Sequence, residues 1–262
     1  MQSETFTIGE TPITLEWGHL ARQASGAVLL RQGRTALLAT VTAAATPSGA
    51  DFLPLTVEYR ERAAAAGRIP GNFFRRETRP GEHEVLVSRL VDRSLRPLFP
   101  AGFTCQTDVQ VTVHSAEPGS DPASLAILAA SAALQVSDLP LAAPVAGLRL
   151  LRRGGRLVLL PGDGEERLAD LDLVVSVTPD GLVMVEGEAD GVAEADVLAA
   201  LDAAAEALAP ALETLARMAG PKRAVAPPAK PLLAEVAELV GDEVAAAVAI
   251  TTKADRRAAL AA

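Results

Sequence analysis

Between Arg60 and Arg96 the sequence gathers nine arginines against five acids (Glu61, Glu77, Glu82, Glu84 and Asp92). That window carries +4 in a chain whose total is −9, so everything outside it carries −13. An acidic protein that concentrates positive charge in one place presents it to an anion. Phe73 and Phe74 stand side by side inside the window and run directly into Arg75 and Arg76, in a chain that is only 3% aromatic. Rings beside guanidinium groups suit an unpaired nucleotide, because the base stacks and the phosphate pairs with the planar fork. Residue types alone leave open a core-anchoring aromatic pair with solvated arginines. A phosphorylated metabolite would also be an anion of the right kind, but it gives the paired phenylalanines no task.

Further along, Arg89, Arg93 and Arg96 fall at i, i+4 and i+7, along one border of a helical apolar arc made by Leu86, Val87, Leu90, Val91 and Leu95. Such a helix buries itself while holding a row of guanidinium groups at its edge. The plainer alternative is a set of ion pairs to Glu82, Glu84 or Asp92. Arg96, just before Pro97, would then serve the helix C-terminus by its charge. The three histidines (His19, His83, His114) are scattered and, with one cysteine, show no zinc spacing. There is no phosphate-binding Walker loop, no dinucleotide glycine fingerprint and no serine-nucleophile elbow. Gly162-Asp163-Gly164 reads as a hairpin turn.

Composition sets outer bounds. A length of 262 residues, 49% hydrophobic and 22% charged, suits one large globular domain or a domain plus a piece. The single Cys105 excludes an intramolecular disulfide and fits a reducing, cytoplasmic setting. The N-terminal MQSETFTIGE lacks a basic-then-apolar signal pattern, and no apolar run is long enough to span a membrane.

The elements that must position these residues follow from pattern. Residues 4–8 and 13–17 alternate as a hairpin, and 26–30 and 35–41 flank a turn at Arg31-Gln32-Gly33-Arg34. Residues 51–59 make a strand interrupted by Pro54, so an edge or a bulge. Residues 60–81 form a loop punctuated by Gly67, Pro70, Gly71, Pro80 and Gly81, of a length that is often functional. A helix follows from Glu82, and Pro97 ends it. A strand spans 109–115. Asp121 caps a small-residue helix over 123–136, with Pro122 in its first turn. Strands at 148–151, 156–160, 171–177 and 182–186 precede a helix over 192–218 that bends at Pro210. Residues 221–231 are a proline-rich linker, and 232–262 are helical.

One run is long and fixed in spacing: Gly67-Arg-Ile-Pro-Gly71, Phe73 to Glu77, Arg79-Pro80, Ser88 to Arg93, and Arg96 to Pro100. It resembles the first core of the bacterial polynucleotide phosphorylases, a branch of the RNase PH-like superfamily. The weaker similarity continues over nearly the whole chain. The resemblance implies an α/β (α+β) fold, with mixed sheets and packed helices over residues 1–220. The linker then leads into part of an all-α domain, of which 232–262 would be the truncated start. It implies RNA contacts from Phe73, Phe74, Arg75, Arg76 and Arg79, and phosphate contacts near the reaction site from Arg89 and Arg93. It implies processive 3′-to-5′ phosphorolysis of single-stranded RNA by inorganic phosphate, run in reverse as untemplated synthesis. The assembly would be a homotrimeric ring, working beside other RNA-decay proteins in the cytoplasm.

The same resemblance argues against chemistry in this core. The family holds phosphate on a glycine–serine turn at a helix N-terminus, beside metal-binding aspartates and a lysine. The corresponding turn here is Pro118-Gly119-Ser120-Asp121-Pro122, where Asp121 adds a negative charge and Pro122 removes an amide donor. Asp163 and Asp170 fall near the aspartate positions with a slip of one residue, and the lysine position falls within Leu173-Val174. Mg2+ is therefore expected mainly on a second core, with no metal site in this one. Two rivals stand beside this reading: a standalone, non-catalytic RNA-binding ring subunit, and a self-sufficient nuclease using Asp163 and Asp170.

Overall fold

The computed structural model describes residues 1–71, 77, 79–227 and 232–261. Phe73, Phe74, Arg75 and Arg76 lie outside the described residues. The chain divides into two compact units, Met1–Ala226 and Pro227–Ala262.

The first unit is mixed α/β, built on two sheets. Strands β1 (Gln2–Ile8), β2 (Thr11–Trp17), β3 (Gly26–Gln32), β4 (Thr35–Ala43), β5 (Leu55–Glu61) and β6 (Thr107–Ser115) form the larger sheet, in the order β1-β2-β3-β4-β6-β5. Its pairs are antiparallel except β5 with β6, which run parallel. Strand β5 starts one residue after Pro54 and lies on the sheet edge, where a missing ladder donor costs least. Strands β7 (Ala146–Arg153), β8 (Arg156–Leu159), β9 (Leu171–Thr178) and β10 (Gly181–Ala189) form an antiparallel sheet in the order β10-β9-β7-β8.

Helices occupy the space around and between these sheets. Helix α1 (Glu82–Leu95) packs on β5. Helix α2 (Ala126–Val136) packs on β3 and β4 of one sheet and β7 of the other, and it is buried from Ala126 to Gln135. Its small side chains let both sheets approach closely. A Cβ on Gly26 of β3 would stand 2.2 Å from the Ala133 carbonyl, and one on Gly147 of β7 would stand 2.8 Å from Ile127. The first turn of the expected helix at 123–136 is 3₁₀ (Pro122–Leu125), with Asp121 Oδ1 accepting from the Ala123 amide. Helix α3 (Glu194–Arg217) carries Pro210 inside it and packs on β1, β7 and β9.

Helix α1 also closes the open edge of β5 with one row of side chains four residues apart. The Ser88 hydroxyl accepts from the Tyr59 amide at 2.9 Å, and Glu84 Oε1 accepts from the Glu61 amide at 2.8 Å. Arg96 donates to the carbonyls of Leu53 and Leu55 at 3.0 and 3.2 Å while gripping Asp92 with two nitrogens. A strand edge that would template foreign pairing is thereby covered. Arg96 thus seals a sheet edge rather than only serving its own helix end. The apolar arc is narrower than the wheel suggests: Val87, Val91 and Leu95 are buried, but Leu86 is 49% exposed.

The start of the proline-rich stretch is bound to the first unit. Gly220 N donates to the Gln135 carbonyl, and Lys222 Nζ donates to the carbonyls of Leu134, Gln135 and Ser137 at the C-terminal end of α2. Arg223 pairs with Asp138. The Lys222 cation sits where a helix leaves its carbonyls unpaired and negative. The second unit contains α4 (Leu233–Val248) and α5 (Lys253–Ala261). Among the described residues no helix is long and apolar enough to cross a membrane.

Candidate nucleic-acid interface

The basic window leaves β5 at Glu61 and returns at α1. A 3₁₀ turn over Ala63–Ala66 ends at Gly67 in the left-handed region, and Ala65 accepts a hydrogen bond from the Ala116 amide beyond β6. Arg79 is exposed near the return of the loop. Arg89, Arg93 and Arg96 line one groove of about 590 Å³ between β5 and α1. Arg89 is exposed there. Arg93 pairs with Glu186 of β10 instead of with an acid of its own helix.

Beside the loop stands a small polar chain. Tyr59 donates its hydroxyl proton to Glu61 Oε1 at 2.8 Å, and His83 Nε2 lies 3.4 Å from the same oxygen. The hydrogen bond between them raises His83 and lowers Glu61, each opposed by partial burial. Tyr59 is pushed far up, first by burial and then by the Glu61 charge. The His83 contribution to stability is present below its ordinary value of 6.5 and is lost as pH rises through the raised value. The Glu61 contribution is present above 4.5 and is lost as pH falls through the lowered value. The melting-temperature difference between the natural chain and His83→Gln is therefore expected to peak between about pH 4.5 and 6.5 and to vanish in alkali. Both groups are partly solvated, so the peak is small. A flat difference across a pH series of melts refutes the pairing.

The structure puts a charge network where the resemblance implies a phosphate seat. Arg149 of β7 donates from Nε and NH2 to Asp172 of β9 at 3.0 and 2.6 Å, and from NH1 to Asp121 at 3.1 Å. Glu166 stands 3.7 Å from the same guanidinium. Three carboxylates against one cation leave the spot negative. The Arg149 guanidinium is held far above its ordinary range, first by the hydrogen bond to Asp172 and next by that to Asp121, with burial opposing. The Ser120 amide and hydroxyl, which a phosphate would need, are both directed at the Glu117 carbonyl.

Two hollows meet at this network. A cleft of about 370 Å³ is lined by His83, Leu86, Leu90, Ile127, Val174 and Glu186, with Arg149 and Asp172 also on its wall. A recess of about 530 Å³ brings Arg62, Arg68, His83, Asp121, Arg149 and Asp163 to one surface. Asp163 is exposed on that recess. Asp170 points elsewhere, 3.6 Å from Arg152, which also pairs with Asp196 of α3. Among the described residues no three metal-ligating side chains gather closely enough to hold an ion. The carboxylates that do converge, Asp121, Glu166 and Asp172, are committed to Arg149.

Sequence reasoning passes over Arg149, Asp172 and Glu166. The signal available is modest: single opposite charges interrupt two apolar strand patterns, Leu148-Arg149-Leu150 and Leu171-Asp172-Leu173. Only the pairing of β7 with β9, in which Arg149 stands opposite Val174, makes Arg149 and Asp172 diagonal neighbours on one face.

Two sheets around a buried alanine-rich helix, with an arginine-studded helix closing one sheet edge, define a class. The chain belongs to the 3′ exoribonuclease (RNase PH) family: the profile of its domain 1 matches residues 10–140, and that of its domain 2 matches residues 143–207. More narrowly, it is similar to polyribonucleotide nucleotidyltransferases. That of Desulfosudis oleivorans is 47% identical over 262 residues, covering 97% of this chain and 36% of the relative. That of Trichlorobacter lovleyi is 46% identical, covering 97% and 37%. The chain therefore spans little more than a third of the length of these curated relatives. Among solved structures, rice Rrp46 superposes with a TM-score of 0.64 at 17% identity, over 78% of this chain and 92% of that one. A chain of the Archaeoglobus fulgidus exosome with RNA bound to the active site superposes with a TM-score of 0.59 at 18% identity, over 80% and 89%. These two likenesses concern the fold.

Proposed function

We propose that this chain is the RNA-guiding first core of a phosphate-dependent 3′-to-5′ exoribonuclease. Inorganic phosphate attacks the 3′-terminal phosphodiester and releases a nucleoside diphosphate, and the reverse reaction extends RNA without a template. In this reading the loop at 62–81 binds single-stranded RNA through Phe73, Phe74, Arg75, Arg76 and Arg79, while Arg89 and Arg93 border the path of its phosphates. The acids and the Mg2+ belong to a second core, within a homotrimeric ring that serves mRNA decay and RNA processing in the cytoplasm.

The observation that carries the reading is the Asp121–Arg149–Asp172 network. Its two carboxylates occupy one guanidinium at the turn that the resemblance implies for phosphate, while the window from Arg60 to Arg96 carries +4. Guidance and chemistry are thereby separated. The test mixes the purified chain with an unpaired oligoribonucleotide, Mg2+ and inorganic phosphate, and follows both RNA binding and nucleoside diphosphate release. Binding without release is expected. Release that depends on phosphate would mean that this core is itself a nuclease, and the reading would fall.

A further inference from the structure

Of the four glutamates inside the window whose positive charge is meant for RNA, two, Glu77 and Glu84, are turned onto backbone. Glu84, in the first turn of α1, accepts with Oε1 from the Glu61 amide at 2.8 Å and with Oε2 from the Gly81 amide at 2.6 Å. Glu61 is the last residue of β5 and Gly81 is the N-cap of α1. One carboxylate therefore holds the two points where the loop leaves and rejoins the fold. Arg60 Nε stands 3.8 Å from Oε1, and its side chain and that of Glu84 are 11% and 14% exposed. Glu77 makes a second rung above the first: its carboxylate accepts from the Ala63 amide and lies 3.6 Å from Arg62 NH1. Glu77 directly follows Arg76 in sequence, so this rung stands at the foot of the Phe73–Arg76 run.

We infer that Glu84 and Glu77 are positioning residues for RNA, acting as a double clasp on the neck of the loop. The inference rests on the reading that this loop engages RNA. Each rung fixes a point on the neck, at the end of β5 and the start of α1, and a neck held in place beforehand costs less to position when RNA binds. Only a carboxylate serves two amide donors from one side chain at Glu84, since a glutamine has a single acceptor oxygen. Electrostatics alone argues the other way. An acid among arginines repels phosphate, so its removal should tighten RNA binding. The clasp and the charge thus predict opposite signs for the same substitution.

The experiment titrates a labelled unpaired oligoribonucleotide by fluorescence anisotropy against the natural chain, Glu84→Gln and Glu77→Ala. Amide exchange at Glu61, Ala63 and Gly81 is followed in each variant. The clasp predicts faster exchange at those amides and binding weakened about tenfold, the loss of one charge-assisted hydrogen bond. Equal or tighter binding by both variants overturns it. Should Glu84→Gln fail to fold, Glu77→Ala decides alone, because its partners Ala63 and Arg62 lie in the loop itself. A Phe73→Ala, Phe74→Ala control separates the two levels. If the control loses affinity while both glutamate variants bind normally, the clasp falls and the RNA reading stands. If the control also binds normally, the RNA reading falls and takes the clasp with it.

Discussion

Replacing Phe73 and Phe74 together by alanine is expected to weaken binding of a single-stranded oligoribonucleotide by about thirtyfold or more, with the fold intact. The magnitude comes from stacking, worth roughly 1–3 kcal/mol for each base laid on a ring. Two rings at the low end give about 2 kcal/mol, or close to thirtyfold. The fold is expected to survive because the core of the described residues takes its aromatic mass elsewhere, from Phe6, Tyr59, Phe99 and Phe103. Phe99 and Phe103 stack on each other, with ring centroids 5.7 Å apart. An anisotropy titration read beside a thermal melt checks both halves of the expectation. Unchanged affinity would remove the aromatic pair from any RNA role. A lowered melting temperature with unchanged affinity would return it to the core. Salt separates the rings from the arginines. Loss of stacking lowers affinity equally at all salt concentrations. Arg75→Ala with Arg76→Ala also flattens the salt slope, by about 0.7 for each phosphate of the single strand that is no longer neutralised.

The parts of this molecule legible in its sequence are those governed by local rules. The Asp121 cap, the Pro122 start, the β1–β2 hairpin and the edge position of β5 after Pro54 follow from near neighbours in the chain. The fixed run from Gly67 to Pro100 identifies the family, and with it the mixed α/β architecture. What stays hidden depends on partners far apart in sequence. Arg96 reads as a helix-end charge because nothing nearby announces the carbonyls of Leu53 and Leu55. Lys222 reads as linker because its three acceptors lie at the end of α2. Leu86 reads as buried because a helical wheel cannot know that a cleft opens over that face. The resemblance singles out Asp163 and Asp170; that Asp121, Glu166 and Asp172, from three separate segments, all face Arg149 is visible only in the fold.

That meeting point yields the other large effect. Arg149→Met is expected to destabilise the first unit by about 1–3 kcal/mol, the range for leaving hydrogen-bonded groups unpaired in a half-buried site. The Asp121 and Asp172 side chains are only 11% and 18% exposed, so water from the adjoining hollows replaces the guanidinium poorly. Two unpaired carboxylates would then face each other in a poorly solvated wall, and the cost is their desolvation plus their mutual repulsion. For a unit of this size the melting temperature should fall by roughly 2–12 °C. The decisive comparison is Arg149→Met combined with Asp121→Asn and Asp172→Leu. A network that is kept only because its charges cancel should recover most of the loss when all three charges go, since apolar replacements of buried ion groups are often neutral. If the triple variant is no more stable than the single one, the guanidinium contributes chiefly by packing between the strands, and the charge argument fails. If it recovers, the network is dispensable to the fold. Its retention would then support the proposal that this core guides RNA and leaves the chemistry to another, since carboxylates beside a bound phosphate would repel it.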